Sequence, residues 1–141
     1  MERVTAMMAW QLAEQALQAA EDIQSPSSVA VVDSGRNLVA FVRMDQAPLA
    51  SIEISMGKAY TARSLNMPTA DLDAVVQPGQ PLYGLAIAHR IPLVTFGGGL
   101  PIELNGEIVG GIGVAGGTPE QDAGVAHAAL AEWRKSFEGG I

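Results

Sequence analysis

Residues 102–121 read Ile-Glu-Leu-Asn-Gly-Glu-Ile-Val-Gly-Gly-Ile-Gly-Val-Ala-Gly-Gly-Thr-Pro-Glu-Gln. Asn105-Gly106 lies between two β-prone runs, Ile102–Leu104 and Glu107–Val114. It marks a hairpin, because both central residues of a type I′ turn need positive φ. The stretch then closes on a capping box. Thr118 can accept from the backbone at the third helical position, Pro119 suits the first, and Gln121 can reach back. This context argues against another reading of Gly111-Ile112-Gly113-Val114-Ala115-Gly116, which matches the dinucleotide fingerprint Gly-x-Gly-x-x-Gly. The fingerprint needs its helix to open at the glycines and a parallel strand to follow, whereas here the helix starts after them. Glycines on a strand instead let a helix or another backbone come close.

Downstream, Ala126, Leu130, Trp133 and Phe137 give the last helix a core face. Glu120 and Asp122 at its start and Arg134 and Lys135 near its end suit the helix dipole, and its end is expected between Ser136 and Gly139. Upstream, Leu93–Phe96 is predicted as a strand joined to Ile102–Leu104 through Gly97-Gly98-Gly99. Further back, Gln77–Arg90 reads as a loop with one helical turn. Ser51–Leu65 is a predicted helix, and a short third helix is expected from Thr69 to before Pro78. Val29–Val32 and Leu38–Val42 form a second hairpin across Asp33–Asn37, with Gly35 able to take positive φ. The segment from Thr5 to Ile23 lacks Gly and Pro, and Met8, Leu12, Ala16, Ala19 and Ile23 recur at helical spacing. A second apolar line, Met7, Trp10 and Leu17, predicts that this helix buries two faces, one of them in an oligomer contact. The order is helix, two strands, one or two helices, three strands, helix. It implies an α+β domain over residues 1–141 with a five-stranded, mostly antiparallel sheet flanked by helices.

Composition narrows the function classes. The 141 residues are 48% hydrophobic, enough for one core, but only 5% aromatic, so that core is built from Ala, Val, Ile, Leu and Met. A net charge of -7 with no basic stripe opposes nucleic acid. The chain has no cysteine, which removes disulfides, thiol catalysis and cysteine-ligated metals. No window approaches a membrane span, and the amino terminus, interrupted by Gln11, Glu14 and Gln15, lacks the apolar stretch of a signal peptide. A cytoplasmic protein is expected.

Several residues are candidates for chemistry. The turn Gly97-Gly98-Gly99-Leu100-Pro101 could present amides to an anion, as could Gly116-Gly117 with the open amides at Thr118. Arg43 and Lys58 could hold a carboxylate, with Lys58 or Asp45 moving a proton. The only histidines are His89, beside the loop, and His127, on the last helix. They are the first candidates for a heme axial ligand, with Met44, Tyr60 and Tyr83 behind them. No His-x-x-x-His or Glu-x-x-His spacing supports a metal site.

Four segments together carry a family resemblance: residues 31–45 (Val-Val-Asp-Ser-Gly-Arg-Asn-Leu-Val-Ala-Phe-Val-Arg-Met-Asp), 58–62 (Lys-Ala-Tyr-Thr-Ala), 96–102 (Phe-Gly-Gly-Gly-Leu-Pro-Ile) and 108–122. The chain resembles the GlcG/HbpS family, also seen as the carboxy-terminal domain of PduO-type proteins. The resemblance implies a three-layer α/β/α domain that forms dimers or larger homo-oligomers. It implies a small-molecule-binding protein, with heme or a related tetrapyrrole as the first ligand class, and some members sit in catabolic operons. The matching positions are Asp33, Gly35, Arg43, Asp45, Lys58, Thr61, Gly97, Gly98, Gly99, Pro101, Gly113, Gly116, Gly117 and Asp122. A ligand pocket is expected from Arg43, Lys58, the Gly97–Pro101 turn, Gly116, Gly117, Thr118 and Asp122. Two other readings compete. One is an isomerase- or tautomerase-like enzyme acting on a small carboxylate or carbonyl compound, and the other is an accessory protein that stabilises a partner enzyme. No histidine precedes His89, so a heme ligand supplied by a relative's amino-terminal half has no counterpart here.

Overall fold

A computed structural model describes residues 3–137. The elements are α1 (Ala6–Asp22), β1 (Ser28–Asp33), β2 (Leu38–Arg43), α2 (Ser51–Leu65), β3 (Gly99–Leu104), β4 (Glu107–Ala115) and α3 (Pro119–Arg134). Short 3₁₀ turns occupy Thr69–Leu72 and Leu85–Ile87, so the helix expected from Thr69 toward Pro78 is a single turn. The sheet runs β2-β1-β4-β3, with every neighbouring pair antiparallel. Gly139, within the range expected for the end of the last helix, lies outside the described residues.

Among the described residues the sheet therefore has four strands and not the expected five. Leu93–Phe96 joins no ladder, because its polar groups are satisfied elsewhere. Val94 N donates to Thr61 Oγ1 on α2 at 2.9 Å, Leu93 N donates to Ala86 O, and Phe96 O accepts from Thr69 Oγ1. A β-prone run whose backbone is claimed by side chains has no reason to pair. The third strand starts instead at Gly99 and carries Pro101 on the sheet edge, where a missing N–H is tolerated.

The two faces of the sheet differ in side-chain size. Val29, Val31, Leu100, Ile102, Ile112 and Val114 pack with Leu12, Ala16, Val125, Leu130 and Trp133 of α1 and α3 in the main core. Trp133 Nε1 donates to Met8 O at 2.9 Å, tying α3 to α1. On the opposite face the strands present Ala30, Val32 and glycines, and α2 lies almost on the backbone. A Cβ at Gly113 would run into Ser55 O, and one at Gly111 would come within 2.5 Å of Ala59 O. The glycines of the fingerprint-like stretch are thus the bed of a helix. Layers of α1 with α3, sheet, and α2 make the domain three-layered.

Local signals behave as their chemistry requires. Asn105 and Gly106 take φ of 51° and 84°, the hairpin values. In the β1–β2 turn the positive φ, 68°, falls on Arg36 and not on Gly35, because Asp33 Oδ1 accepts from Gly35 N and Asn37 N and sets the turn one residue later. The capping box is complete: Gln121 N donates to Thr118 Oγ1, and Thr118 N donates to Gln121 Oε1. Thr118→Ala should lower stability by about 1 kcal/mol, read as a shift in urea midpoint at constant slope. On α1, Leu17 packs against the core, whereas Met7 and Trp10 stay uncovered, Trp10 at 43% exposure. Among the described residues no helix is long and apolar enough to cross a membrane.

Candidate functional site

At the end of the sheet where β4 gives way to α3, a lysine is enclosed. Lys58 leaves the middle of α2 with 1% of its surface exposed. Its Nζ donates to Val114 O at 2.8 Å and to Asp122 Oδ2 at 2.9 Å. Asp122, 2% exposed in the first turn of α3, uses its other oxygen to accept from Gly117 N at 2.9 Å. The Phe96 ring centroid lies 5.1 Å from Nζ. Burial pushes the Lys58 amine below its ordinary value of 10.5, against the charge and hydrogen bond of Asp122, which act in the opposite direction.

The glycine turn is shaped by this lysine. Gly98 sits at φ 132°, and a Cβ there would lie 2.6 Å from Nζ and 2.8 Å from Cδ of Lys58. A Cβ on Gly99 would meet Lys58 O at 2.5 Å, and one on Gly97 would meet Pro119 O at 2.9 Å. A cavity of about 170 Å³ opens beside the pair, lined by Pro48, Ala50, Ser51, Ile54, Lys58, Phe96, Ala115, Gly116, Gly117 and Asp122. Pro48, Ala50 and the 40% exposed Phe96 give it onto solvent.

Lys58, Gly97, Gly98, Gly99, Gly116, Gly117 and Asp122 thus gather at one place. Thr118 is next to it but exposed and occupied by its cap. The amides expected to be open for an anion are largely taken, Gly117 N by Asp122 and Gly99 N by Thr69 Oγ1. The chain supplies its own carboxylate there. Pro101 lies out on the edge strand opposite Gly111. Arg43 and Asp45 are exposed and line a different cleft of about 620 Å³ against α1, with Glu14, Glu21 and Met44. The two sites share no lining residue, so Asp45 is not the carboxylate beside Lys58, and Arg43 is not part of that pocket. Sequence reasoning missed Phe96 and Ser51. Phe96 carried a signal, an aromatic directly before three glycines, but Ser51 carried none.

A second, apolar groove of about 470 Å³ runs between α2, β2 and residues 91–94. Leu38, Met56, Tyr60, Ile91 and Val94 line it, with Arg36 at its polar side. Arg36 lies 4.7 Å over the Tyr60 ring and donates to Tyr60 Oη. His89 meets the edge of that ring, with centroids 6.2 Å apart, and its buried Nδ1 has no hydrogen-bond partner among the described residues. Of the other candidate axial ligands, His127 and Tyr83 are exposed. Met44 Sδ accepts from Ser27 N.

An antiparallel four-stranded sheet lies between one helix and a helix pair, and on the single-helix side the cavity of the enclosed Lys–Asp pair and the apolar groove meet at Ile54, which lines both; together they define a small α/β/α domain. A family model described as "Haem degrading protein HbpS-like" matches residues 4–131, and the chain belongs to this family. A 15.0 kDa protein from the dhaT-dhaS intergenic region of Citrobacter freundii is 43% identical over 90% of this chain and 89% of its own. The crystal structure of Klebsiella pneumoniae protein ORFY superimposes with a TM-score of 0.92 at 38% identity, covering 98% of this chain and 95% of that one. A crystal structure of a PduOC:heme complex follows with a TM-score of 0.88 at 37% identity, over 92% and 94% of the two chains.

Proposed function

We propose that this protein binds heme or a related tetrapyrrole in the apolar groove between α2 and β2. The observation that carries the reading is the likeness, over 92% of the chain, to PduOC in its heme complex. Local chemistry supports it. The groove volume of about 470 Å³ falls within the usual range for ligand sites, its walls are apolar, and polar groups are few. A buried ring nitrogen without a partner is costly unless something else ligates it, and His89 Nδ1 is such an atom. His89, which stands beside the groove against Tyr60 rather than lining it, would serve as axial ligand, Tyr60 would stand as the alternative oxygen ligand from the groove wall, and Arg36 would pair with a propionate. When bound, heme supplies an iron centre for ligand exchange or redox chemistry. This chain's residues bind its face, neutralise its acid groups and keep water from its apolar edge. Homo-oligomer formation belongs to the same proposal, supported by the uncovered Met7 and Trp10.

Hemin titration tests the reading. Wild-type protein should give a saturable Soret shift, weakened tenfold or more in His89→Ala and unchanged in His127→Ala, with light scattering on the same samples reporting a dimer or larger. No saturable shift in wild type removes the heme reading, and a shift insensitive to His89 removes the ligand assignment.

A further inference from the structure

Lys58 is not used by the tetrapyrrole reading, and its surroundings are arranged around one atom. The lysine occupies a room kept open by Gly98, where any side chain would strike Nζ or Cδ. Its head is gripped by two acceptors, Val114 O and Asp122 Oδ2. A neutral amine has two N–H bonds and one lone pair. When Lys58 is deprotonated, Val114 O and Asp122 Oδ2 accept its two N–H bonds, and the lone pair is the remaining valence. Lys58 and Asp122 help to line a cavity of about 170 Å³, roughly six water volumes at ~30 Å³ each. That size admits a compound of a few carbons and excludes a tetrapyrrole.

We propose that Lys58 is a nucleophile that condenses with small aldehydes entering the cavity beside Phe96, forming a Schiff base with Asp122 as the proton carrier. Desolvation favours the neutral amine, as in other lysines activated for carbonyl chemistry. The Nζ lone pair forms a bond to the aldehyde carbon while the carbonyl π pair moves onto oxygen. One amine proton passes to that oxygen, giving the carbinolamine. The C–O bond then breaks and the oxygen leaves as water, carrying the second amine proton, so that aldehyde and amine become imine and water with no redox change. Asp122 Oδ2, 2.9 Å from Nζ, is placed to take each proton and return it. The exposed Phe96 ring at the opening offers an apolar wall to the alkyl end of the aldehyde.

The chain has only two lysines, and the other, Lys135, has a side chain 71% exposed at the end of α3. That makes an internal control. Purified protein is incubated near neutral pH with acetaldehyde and sodium cyanoborohydride, which reduces any imine to a stable ethylamine, and the peptides are mapped by mass spectrometry. Ethylation at Lys58 should exceed that at Lys135 tenfold or more in the native protein, and the ratio should collapse toward one in urea. Asp122→Asn should reduce Lys58 labelling relative to Lys135 while leaving Lys135 unchanged. A native protein labelled at Lys135 and not at Lys58 overturns the proposal and leaves the lysine as a structural tie. Because the wild-type ratio decides, the test does not depend on any variant folding, and hemin binding neither supports nor weakens it.

Discussion

Asp122→Ala should destabilise the domain by about 3 kcal/mol, a large part of the 5–15 kcal/mol that holds a domain of this size together. The substitution leaves Lys58 enclosed with one acceptor, Val114 O, and no counter-charge, and it strips Gly117 N of its partner. Urea unfolding of the variant measures the loss. Adding Lys58→Met should recover part of it, since an apolar side chain of similar length has no charge to bury. A loss below about 1 kcal/mol for Asp122→Ala would mean that the pair bears no buried charge. The lowered Lys58 pKa also predicts a pH slope. Between that pKa and 10.5 the unfolded chain holds a proton that the folded chain has released, so stability due to this group rises with pH across that window. Below the folded pKa the amine is charged in both states, and the cost of enclosing the charge is present in full. The difference in unfolding free energy between wild type and Lys58→Met should therefore grow in favour of wild type as pH rises through the alkaline range below 10.5. A difference that is flat in pH would contradict the assignment.

Gly113→Ala is expected to cost at least as much, about 3 kcal/mol or more, because the added methyl would clash with Ser55 O and lie 2.6 Å from Ala59 N. Neither is the movable end of a side chain. Relief requires α2 to lift from the sheet, which would carry Lys58 away from Val114 O and Asp122. The control is Gly124→Ala, on the exposed side of α3, where an added Cβ meets nothing within 4 Å. There the helix gains a better former, and stability should rise by about 0.5–1 kcal/mol. Thermal unfolding of the two variants should thus move in opposite directions. Similar small changes in both would mean that the sheet does not need bare glycine under α2.

The fold and the candidate site were legible to different depths. Three long helices, both hairpins and the start of α3 followed from signals spanning a few residues: 3.6-residue periodicity, Asn105-Gly106, and the Thr118 to Gln121 box. Such interactions close within one turn of chain, so their energetics do not depend on what lies across the molecule. Strand count did not follow. Leu93–Phe96 has strand-like composition, and what decided against a ladder was Thr61 and Thr69, both distant in sequence, taking its backbone groups. The site divided in the same way. The gathering of Lys58 with the glycine turns and Asp122 was legible from their motifs, but the direct ion pair between Lys58 and Asp122 was not.

By itself the sequence determined the helices, the tight turns and the small-residue strands, because each is set by local backbone preference and side-chain size. Tertiary structure alone decided that Lys58 pairs with Asp122, 64 residues away, and not with Asp45 on the neighbouring strand end, and that Arg43 faces another cleft. The reason is packing distance. Glycines in β4 let α2 settle on the sheet, and that approach puts the lysine head within 3 Å of α3, a relation that no spacing along the chain encodes.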